Sequence, residues 1–273
     1  MPDEGGLYGD TQYKLIKYNL ETGNTTEITV VTLEENDNYA LDSVISLYVA
    51  ADEIVVYCIA MPKAGDMDAN VLANYNPIKI TYDMDGNKTS AVPFEEDEHL
   101  SIVRKCVVDK EGNSYILTAA ESDWNVYLIK YDITGKKQCV RQMKDFGDEI
   151  EQCNGRIVLY RYGMNKDELG YYYVENDIYE PSRFTDIYPN EKSGGIAGTY
   201  NSNVLIMGEK HLYSYDPASN ELKALIDMKE NHIDSGSVSH VEQIGDDEVF
   251  IIYSSDGYNR EMMYFDSRVR NGV

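Results

Sequence analysis

The chain has 273 residues, which is enough for one or two domains. It carries 24 Lys and Arg against 48 Asp and Glu, a formal charge of −24. This balance argues against general nucleic-acid binding and against electrostatic docking to an anionic membrane, because both need cationic groups on the protein. Hydrophobic residues make up 42 % of the chain, which supports a folded core. Tyr is unusually frequent, with 24 copies against 5 Phe and 1 Trp, and it favours strands and half-buried positions.

The sequence predicts no targeting segment, no membrane insertion and no zinc site. The N-terminal residues lack the basic and apolar regions of a signal peptide, and the longest apolar stretch, 54–61, has the length of a strand. The four cysteines are Cys58, Cys106, Cys139 and Cys153. Their spacing is not that of a metal site, which favours buried hydrophobic side chains. A Cys139–Cys153 disulfide is the alternative.

One short pattern recurs along the chain. It consists of alternating apolar and polar residues, then an aromatic residue, then Asp or Asn, and then a turn. The copies in chain order are 15–23, 80–86, 128–135, 212–220 and a shortened one at 262–268. Tyr131 and Tyr215 are 84 residues apart, or two periods of 42, and the midpoint Tyr173 lies in a degenerate copy. Such a fixed period indicates a repeat architecture.

A second pattern alternates with the first. It is a Gly, Asn or Asp turn followed by a strongly apolar run, at 52–59, 112–117, 155–160, 203–207 and 246–253. The turn residues supply the backbone angles that a hairpin requires. No segment has a sustained apolar period of 3.6 residues, so helix is predicted to be nearly absent.

Four short strands in each period of 40–50 residues predict an all-β fold, a β-propeller of four-stranded antiparallel blades. The apolar run is the second strand of a blade, buried on both faces, and the Tyr-Asp element is the outer third strand. We treat residues 1–273 as a single propeller domain, with blades at approximately 1–31 (partial), 42–93, 100–142, 147–189, 195–227 and 237–270. The alternative, a β-sandwich, does not explain the 42-residue period.

The best-formed repeat carries a resemblance to known propellers. Residues 108–117 and 128–136 resemble the Asp-x-x-Gly-Asn-x-Tyr repeat of NHL-like and YVTN-like bacterial propellers. The irregular repeats rich in Tyr, Asn and Asp also resemble propeller regions of surface lipoproteins of anaerobic Gram-positive bacteria. Some of those regions precede a solute-binding module of an uptake system. The resemblance implies a propeller fold and an extracellular or cell-surface location.

The two patterns do not occur equally often. About six third-strand copies stand against five second-strand copies, and the chain opens on a third strand. The sequence therefore predicts a section of a larger propeller of seven or eight blades. In this interpretation the chain shows about five to six blades and lacks at least the first two strands of its opening blade.

Loop lengths predict where a ligand binds. Turns between strands one and two and between strands three and four are short and share one face. The connections on the opposite face are long, at 62–76, 121–125, 163–169, 190–195 and 254–260. Long loops on a rigid scaffold are common binding sites, so we expect a carbohydrate or protein ligand on this long-loop face.

Four residues are the candidates for ligand binding. Trp124, next to Asp123 in a polar loop, has a ring suited to stacking on a sugar, although the ring would also fit against the adjacent blade. Tyr258 has the same two interpretations. His240 is expected on an innermost strand at the central channel, where it would serve as a base or ligand or simply pack there.

Other motifs are predicted to be ordinary structural features without a functional role. The turns that begin at Asp83 and Asp109 resemble calcium loops but lack the glycine at the sixth position and the bidentate Glu, which predicts hairpin turns. The acidic run 95–98 is predicted to be a solvated connector. No serine-hydrolase elbow or phosphate loop occurs. We therefore predict no catalytic residues, no metal and no cofactor.

The predicted function is a non-catalytic extracellular binding or scaffolding propeller, accessory to a solute-uptake lipoprotein, whose ligand is a glycan or a partner protein. One alternative is a propeller-type enzyme, a glycan lyase, glycosidase or lactonase, that acts at the central channel. The other is an intracellular scaffold for protein interactions. A fold of this kind hosts many functions, so the fold itself does not choose between them.

Overall fold

The computed structural model describes residues 13–18, 25–33, 39–50, 53–62, 76–120, 125–143, 149–161, 168–182, 193–208, 210–219, 221–228, 230, 238–245, 248–254 and 260–266. These residues form strands, turns and irregular segments. They include no helix, and so none that is long and apolar enough to cross a membrane. From residue 238 onward the backbone alone is described.

The chain forms antiparallel sheets from consecutive strands. A hairpin, β1 (Tyr13–Tyr18) and β2 (Thr25–Val31), comes first. Three four-stranded sheets follow: blade I with β3 (Tyr39–Ala50), β4 (Glu53–Pro62), β5 (Asn76–Asp83) and β6 (Lys88–Pro93); blade II with β7 (Ile102–Val108), β8 (Ser114–Ala119), β9 (Val126–Tyr131) and β10 (Lys137–Gln142); and blade III with β11 (Glu149–Cys153), β12 (Arg156–Arg161), β13 (Glu168–Tyr173) and β14 (Ile178–Ser182).

The remaining seven strands form one sheet made of two groups. Blade IV contains β15 (Ser193–Tyr200), β16 (Asn203–Gly208), β17 (His211–Asp216) and β18 (Glu221–Asp227), and blade V contains β19 (Val238–Gly245), β20 (Glu248–Ser254) and β21 (Arg260–Asp266). A single parallel pair, Gly198 with Val241, joins β15 to β19. The first strands of blades IV and V therefore run side by side.

The hydrophobic core lies between neighbouring blades. Successive side chains of a strand point to opposite faces of its sheet. Leu128 of β9 packs in the core between blades II and III, whereas the next residue, Ile129, packs in the core between blades I and II. Both side chains are completely buried. Both faces of an inner strand therefore favour apolar residues, which explains its mostly hydrophobic sequence.

The predicted burial of the second strand is confirmed, because every residue of β8 is buried. The interpretation of the third strand as an outer, amphipathic strand is wrong. In β9 only Lys130 is even partly exposed, since both faces of this strand are covered by neighbouring blades. The fourth strand, β10, is the outer one, with no fully buried residue. Accordingly, the repeat tyrosines Tyr82, Tyr131 and Tyr215 are at most 2 % exposed.

Three short turns share one construction, an Asp-x-x-Gly-x hairpin that begins at Asp83, Asp109 or Asp132. Each carboxylate accepts the backbone N–H groups two and four residues further along, at 2.8–3.1 Å. The glycine has φ between +82° and +88°, a conformation that is unfavourable for other residues. The sequences that resemble calcium loops are therefore hairpin turns, as predicted.

All four cysteines are free thiols. Cys58, Cys106 and Cys153 are buried, as the sequence predicts, and Cys139 is partly exposed. Burial raises the pKa of Cys58 and of Cys153 to about 12, so both thiols stay protonated at neutral pH.

The N-terminal hairpin packs against blade I. Leu15 and Val31 lie in one core cluster with Val56 and Tyr82 of that blade. Among the described strands, β1 and β2 pair only with each other, and blade V contains three strands. The assignment of residues 1–273 to a single domain and the prediction of a longer propeller stay predictions.

Candidate functional site

A groove opens between blades II and III, on the face that carries the short turns. Its volume is about 340 Å³. An adjoining cavity of about 350 Å³ shares Asn113, Lys130 and Glu175 with it and extends it outward along β10. We call the two together the inter-blade groove. Its lining contains several tyrosines and five charged side chains on its inner part: Asp109, Glu111, Lys130, Arg156 and Glu175.

Lys130 lines both parts of the groove, and it is the one residue of β9 that is partly exposed. Its ammonium group lies 5.4 Å from the centroid of the Tyr115 ring, a cation–π contact. It also forms a salt bridge with Glu175 of blade III. The hydrogen bond from Lys130 lowers the pKa of Glu175, and partial burial opposes this effect. This salt bridge therefore links blade II to blade III.

Asp109 is fully used by the blade that carries it. Its carboxylate accepts the backbone N–H groups of Glu111 and Asn113, the side-chain amide of Asn113 and the hydroxyl of Tyr115, each at 2.9 Å. Burial raises the pKa of Tyr115, and its hydrogen bond to Asp109 raises it further. Asp109 is thus a structural anchor whose acceptor positions are occupied.

Arg141 holds the outer end of the groove. From β10 it donates to the backbone carbonyls of Val174 and Glu175, at 2.8 and 2.7 Å. Within the same turn of blade III, the hydroxyl of Tyr172 donates to Asp177 at 2.6 Å. The turn that presents Glu175 is therefore fixed from two sides.

Arg156 forms the rim on the blade III side. Its guanidinium lies 5.1 Å from the centroid of the Tyr171 ring and is solvent-exposed. The preceding Gly155 is covered by the side chain of Lys110, since a Cβ on Gly155 would lie 2.8 Å from the Cδ of Lys110. The stem of Lys110 thus reaches from blade II across to this turn of blade III.

A second polar cluster lies on the connection from blade I to blade II. The carboxylate of Asp97, 4 % exposed, lies 2.6 Å from Nδ1 of His99 and 2.8 Å from the ammonium of Lys137. Burial alone would raise the pKa of Asp97, but the hydrogen bonds from Lys137 and His99 outweigh it and lower this pKa. The interpretation of 95–98 as a solvated connector is therefore wrong for Asp97, which is buried against the next blade.

His99 itself is about one quarter exposed, and its ring is tilted at 42° to the ring of Tyr127, with ring centroids 4.0 Å apart. No group of three or more His, Cys, Asp or Glu side chains with metal-binding geometry occurs in the part of the chain that the structure describes.

The residues predicted for ligand binding are not among those of the groove. Asp123, Trp124 and Tyr258 lie outside the described residues. His240 lies on β19, the first strand of blade V, and pairs with Ile252, but its side chain is not described. The long-loop site stays a prediction.

Sequence reasoning did not find the groove residues. Lys130 carries the clearest available signal, because a lysine interrupts a strand that is otherwise apolar or aromatic. Its partner Glu175 comes from a turn of the next blade, so no local pattern marks the pair. The sequence-based argument from loop length directs attention to the opposite face.

No family model and no curated protein matches the chain. Among solved structures, it is similar to the β-propeller domain of the Trilobed protease from Pyrococcus furiosus, with 10 % identity, a TM-score of 0.50, and 93 % of this chain and 88 % of that chain covered. The fold is a β-propeller. At this identity the likeness shows the fold alone.

Two larger proteins contain a similar region. The acylaminoacyl peptidase of Pyrococcus horikoshii matches with a TM-score of 0.54 and 10 % identity, over 93 % of this chain and 40 % of that one. The extracellular domain of a hybrid two-component system from B. thetaiotaomicron matches with a TM-score of 0.51 and 16 % identity, over 94 % of this chain and 31 % of that one. This chain therefore spans less than half the length of either protein.

Proposed function

We propose that this protein is a non-catalytic, extracellular β-propeller that binds a glycan or a partner protein. The inter-blade groove carries the proposal. Two contacts hold charged side chains across the two blades: Lys130 forms a salt bridge with Glu175, and Arg141 donates to the carbonyl of Val174. A rigid polar groove loses little conformational freedom when a ligand binds, which favours recognition.

The tyrosines of the groove support a binding role. Tyr supplies large contact area with few rotatable bonds, and the partly exposed Tyr173 is the tyrosine of the lining that a ligand can reach. The other three, Tyr115, Tyr171 and Tyr172, are each below 10 % exposed and pack in the core. The extracellular location is motivated by the resemblance to surface lipoproteins and by the extracellular domain from B. thetaiotaomicron. On the same resemblance we propose that the protein is accessory to a solute-uptake lipoprotein. The long-loop face with Asp123, Trp124, Tyr258 and His240 is a second proposed surface for this binding.

The test is a binding screen of the wild type, Tyr173→Ala in the groove and Trp124→Ala in the long loop. The probes are an array of neutral and acidic glycans and a peptide display library. We expect specific binding by the wild type and loss of binding in the variant whose surface is used. Mass spectrometry of the bound glycan should show an unchanged molecule, whereas a cleaved glycan would favour the enzyme alternative. A wild type that binds no probe of either kind would overturn the proposal.

A further inference from the structure

The outer cavity, the part of the inter-blade groove that extends along β10, has a polar lining with no net charge. Its volume is about 350 Å³, within the range of small-ligand sites, which runs from about 300 to 1,000 Å³. Two cations, Lys130 and Arg141, and two carboxylates, Asp132 and Glu175, line it. Three of these residues come from blade II, and the salt bridge between Lys130 and Glu175 ties the fourth to the same site.

The charged groups of this lining are already engaged within the protein. Lys130 forms its salt bridge with Glu175. Both oxygens of Asp132 accept hydrogen bonds, one from its own turn and the other from the side-chain amide of Gln138. Arg141 donates to three backbone carbonyls. A ligand with a net charge would therefore meet no excess of opposite charge in the outer cavity.

Several hydrogen-bonding positions nevertheless stay open among the described residues. The side-chain amides of Asn113 and Gln138 donate to nearby carboxylates, which leaves their carbonyl oxygens as acceptors. Glu175 uses one carboxylate oxygen for Lys130, and the other has no partner there. Each terminal nitrogen of Arg141 donates once and keeps a second N–H. The outer cavity thus offers donors and acceptors side by side.

This set of groups favours a neutral ligand that is rich in hydroxyl groups. A hydroxyl both donates and accepts, and its hydrogen rotates towards the available partner. Neighbouring hydroxyls of a sugar ring therefore suit a lining that mixes donors with acceptors. A peptide group, by contrast, carries one fixed donor and one fixed acceptor. A zwitterionic amino acid would be matched at both ends only by separating Lys130 from Glu175.

We propose that the outer cavity binds a neutral sugar, whose hydroxyl groups contact Asn113, Gln138, Glu175 and Arg141. This inference rests on the proposed binding function and gives it a ligand class. The turn that carries Glu175 is already fixed by Arg141, and the ammonium group of Lys130 is held against the ring of Tyr115. Few side chains therefore need to be ordered when a sugar binds, which favours affinity.

The experiment measures binding by isothermal titration calorimetry at physiological ionic strength. The probes are neutral methyl hexosides of the gluco, galacto and manno series, the uronate and the 2-amino sugar of each series, free alanine as a zwitterion, and an uncharged tripeptide blocked at both ends. We expect at least one neutral hexoside to bind the wild type about fivefold or more tightly than its two charged counterparts and the two amino-acid probes. A fivefold difference corresponds to about 1 kcal/mol, the lower end of the cost of an unmatched polar group.

Two variants test the site, each with a matched control at an exposed position outside the lining. Gln138→Ala removes one acceptor and should weaken binding of the neutral hexoside about fivefold, whereas Gln142→Ala on the same strand should match the wild type. Glu175→Gln leaves Lys130 without its carboxylate, so the uronate should gain about fivefold relative to the neutral hexoside. Glu180→Gln on β14 should leave the preference unchanged. Because all four positions are exposed, thermal unfolding should be nearly unchanged.

Several results would overturn the inference. They are binding of a uronate, an amino sugar, alanine or the blocked tripeptide as tight as that of every neutral hexoside, or neutral-hexoside binding that neither Gln138→Ala nor Glu175→Gln alters in the expected way. In each of these cases the protein still binds a ligand, so the proposed function survives. If no probe binds, the inference fails, and the array and display screen then decides the proposed function separately.

Discussion

The hydroxyl of Tyr131 is the feature of the core with the clearest energetic consequence. It is completely buried and has no hydrogen-bond partner among the described residues. Burial raises the pKa of Tyr131, with a smaller contribution from the negative charge of Asp97. An unsatisfied buried polar group costs about 1–3 kcal/mol. We therefore expect Tyr131→Phe to stabilise the protein by about 1 kcal/mol, because the small void left by the oxygen offsets part of the gain.

The matched control is Tyr115→Phe. On the neighbouring strand β8, Ser114 pairs with Tyr131, and the next residue, Tyr115, is also buried. Its hydroxyl, however, donates to the buried carboxylate of Asp109 at 2.9 Å. Removing it leaves that carboxylate short of a donor, so we expect a loss of about 1–3 kcal/mol. The same deletion of one oxygen should therefore have opposite signs at the two positions.

The assay is urea unfolding followed by circular dichroism, with thermal scans in parallel. One kcal/mol corresponds to about 2 °C in Tm for a domain of this size. A Tyr131→Phe variant as unstable as Tyr115→Phe would refute the reasoning. That result would mean that the hydroxyl of Tyr131 is satisfied in solution, for example by an internal water molecule.

Two further predictions concern contacts between blades. Gly135→Ala should destabilise the protein by more than about 1 kcal/mol, because the new Cβ would lie 2.5 Å from the carbonyl oxygen of Pro93 at an already unfavourable φ. The control Gly112→Ala should cost less, because its Cβ meets only the flexible end of the Ile133 side chain, at 3.3 Å. Urea unfolding compares the two variants, and equal losses of stability would contradict this prediction. Asp97→Asn should cost at least about 1.5 kcal/mol at neutral pH. Because the folded pKa of Asp97 is lowered, this difference should shrink as pH falls below about 4, and a constant difference between pH 7 and 3 would contradict it.

The repeat could be predicted because its signals are local. An Asp-x-x-Gly turn forms from bonds within five residues, as at Asp132 and Gly135. The apolar run of β8 is readable as a buried strand because both of its faces are covered. Burial of the third strand was missed, since the sequence shows a polar Lys130 and Tyr131 without showing that neighbouring blades enclose them.

The candidate groove could not be predicted from the sequence. Lys130 meets Glu175, 45 residues further along the chain, and Arg141 meets Val174, 33 residues further along. Their distances depend on how two sheets twist and pack, and no single strand encodes that geometry. Trp124 and His240 were chosen from loop length and strand position alone. Such arguments indicate a face of the fold, but they do not indicate which side chains contact one another.

The sequence by itself determined the all-β class, the 42-residue period, the hairpin turns and the burial of the second strand, because turn residues, apolar runs and their spacing can be read directly from the chain. Only the tertiary structure decided which partner each charged side chain meets. It commits Asp109 and Glu175 to partners and leaves Arg156 on the face of Tyr171. The physical reason is that pairing between blades depends on the packing of whole sheets, which brings together residues from different repeats.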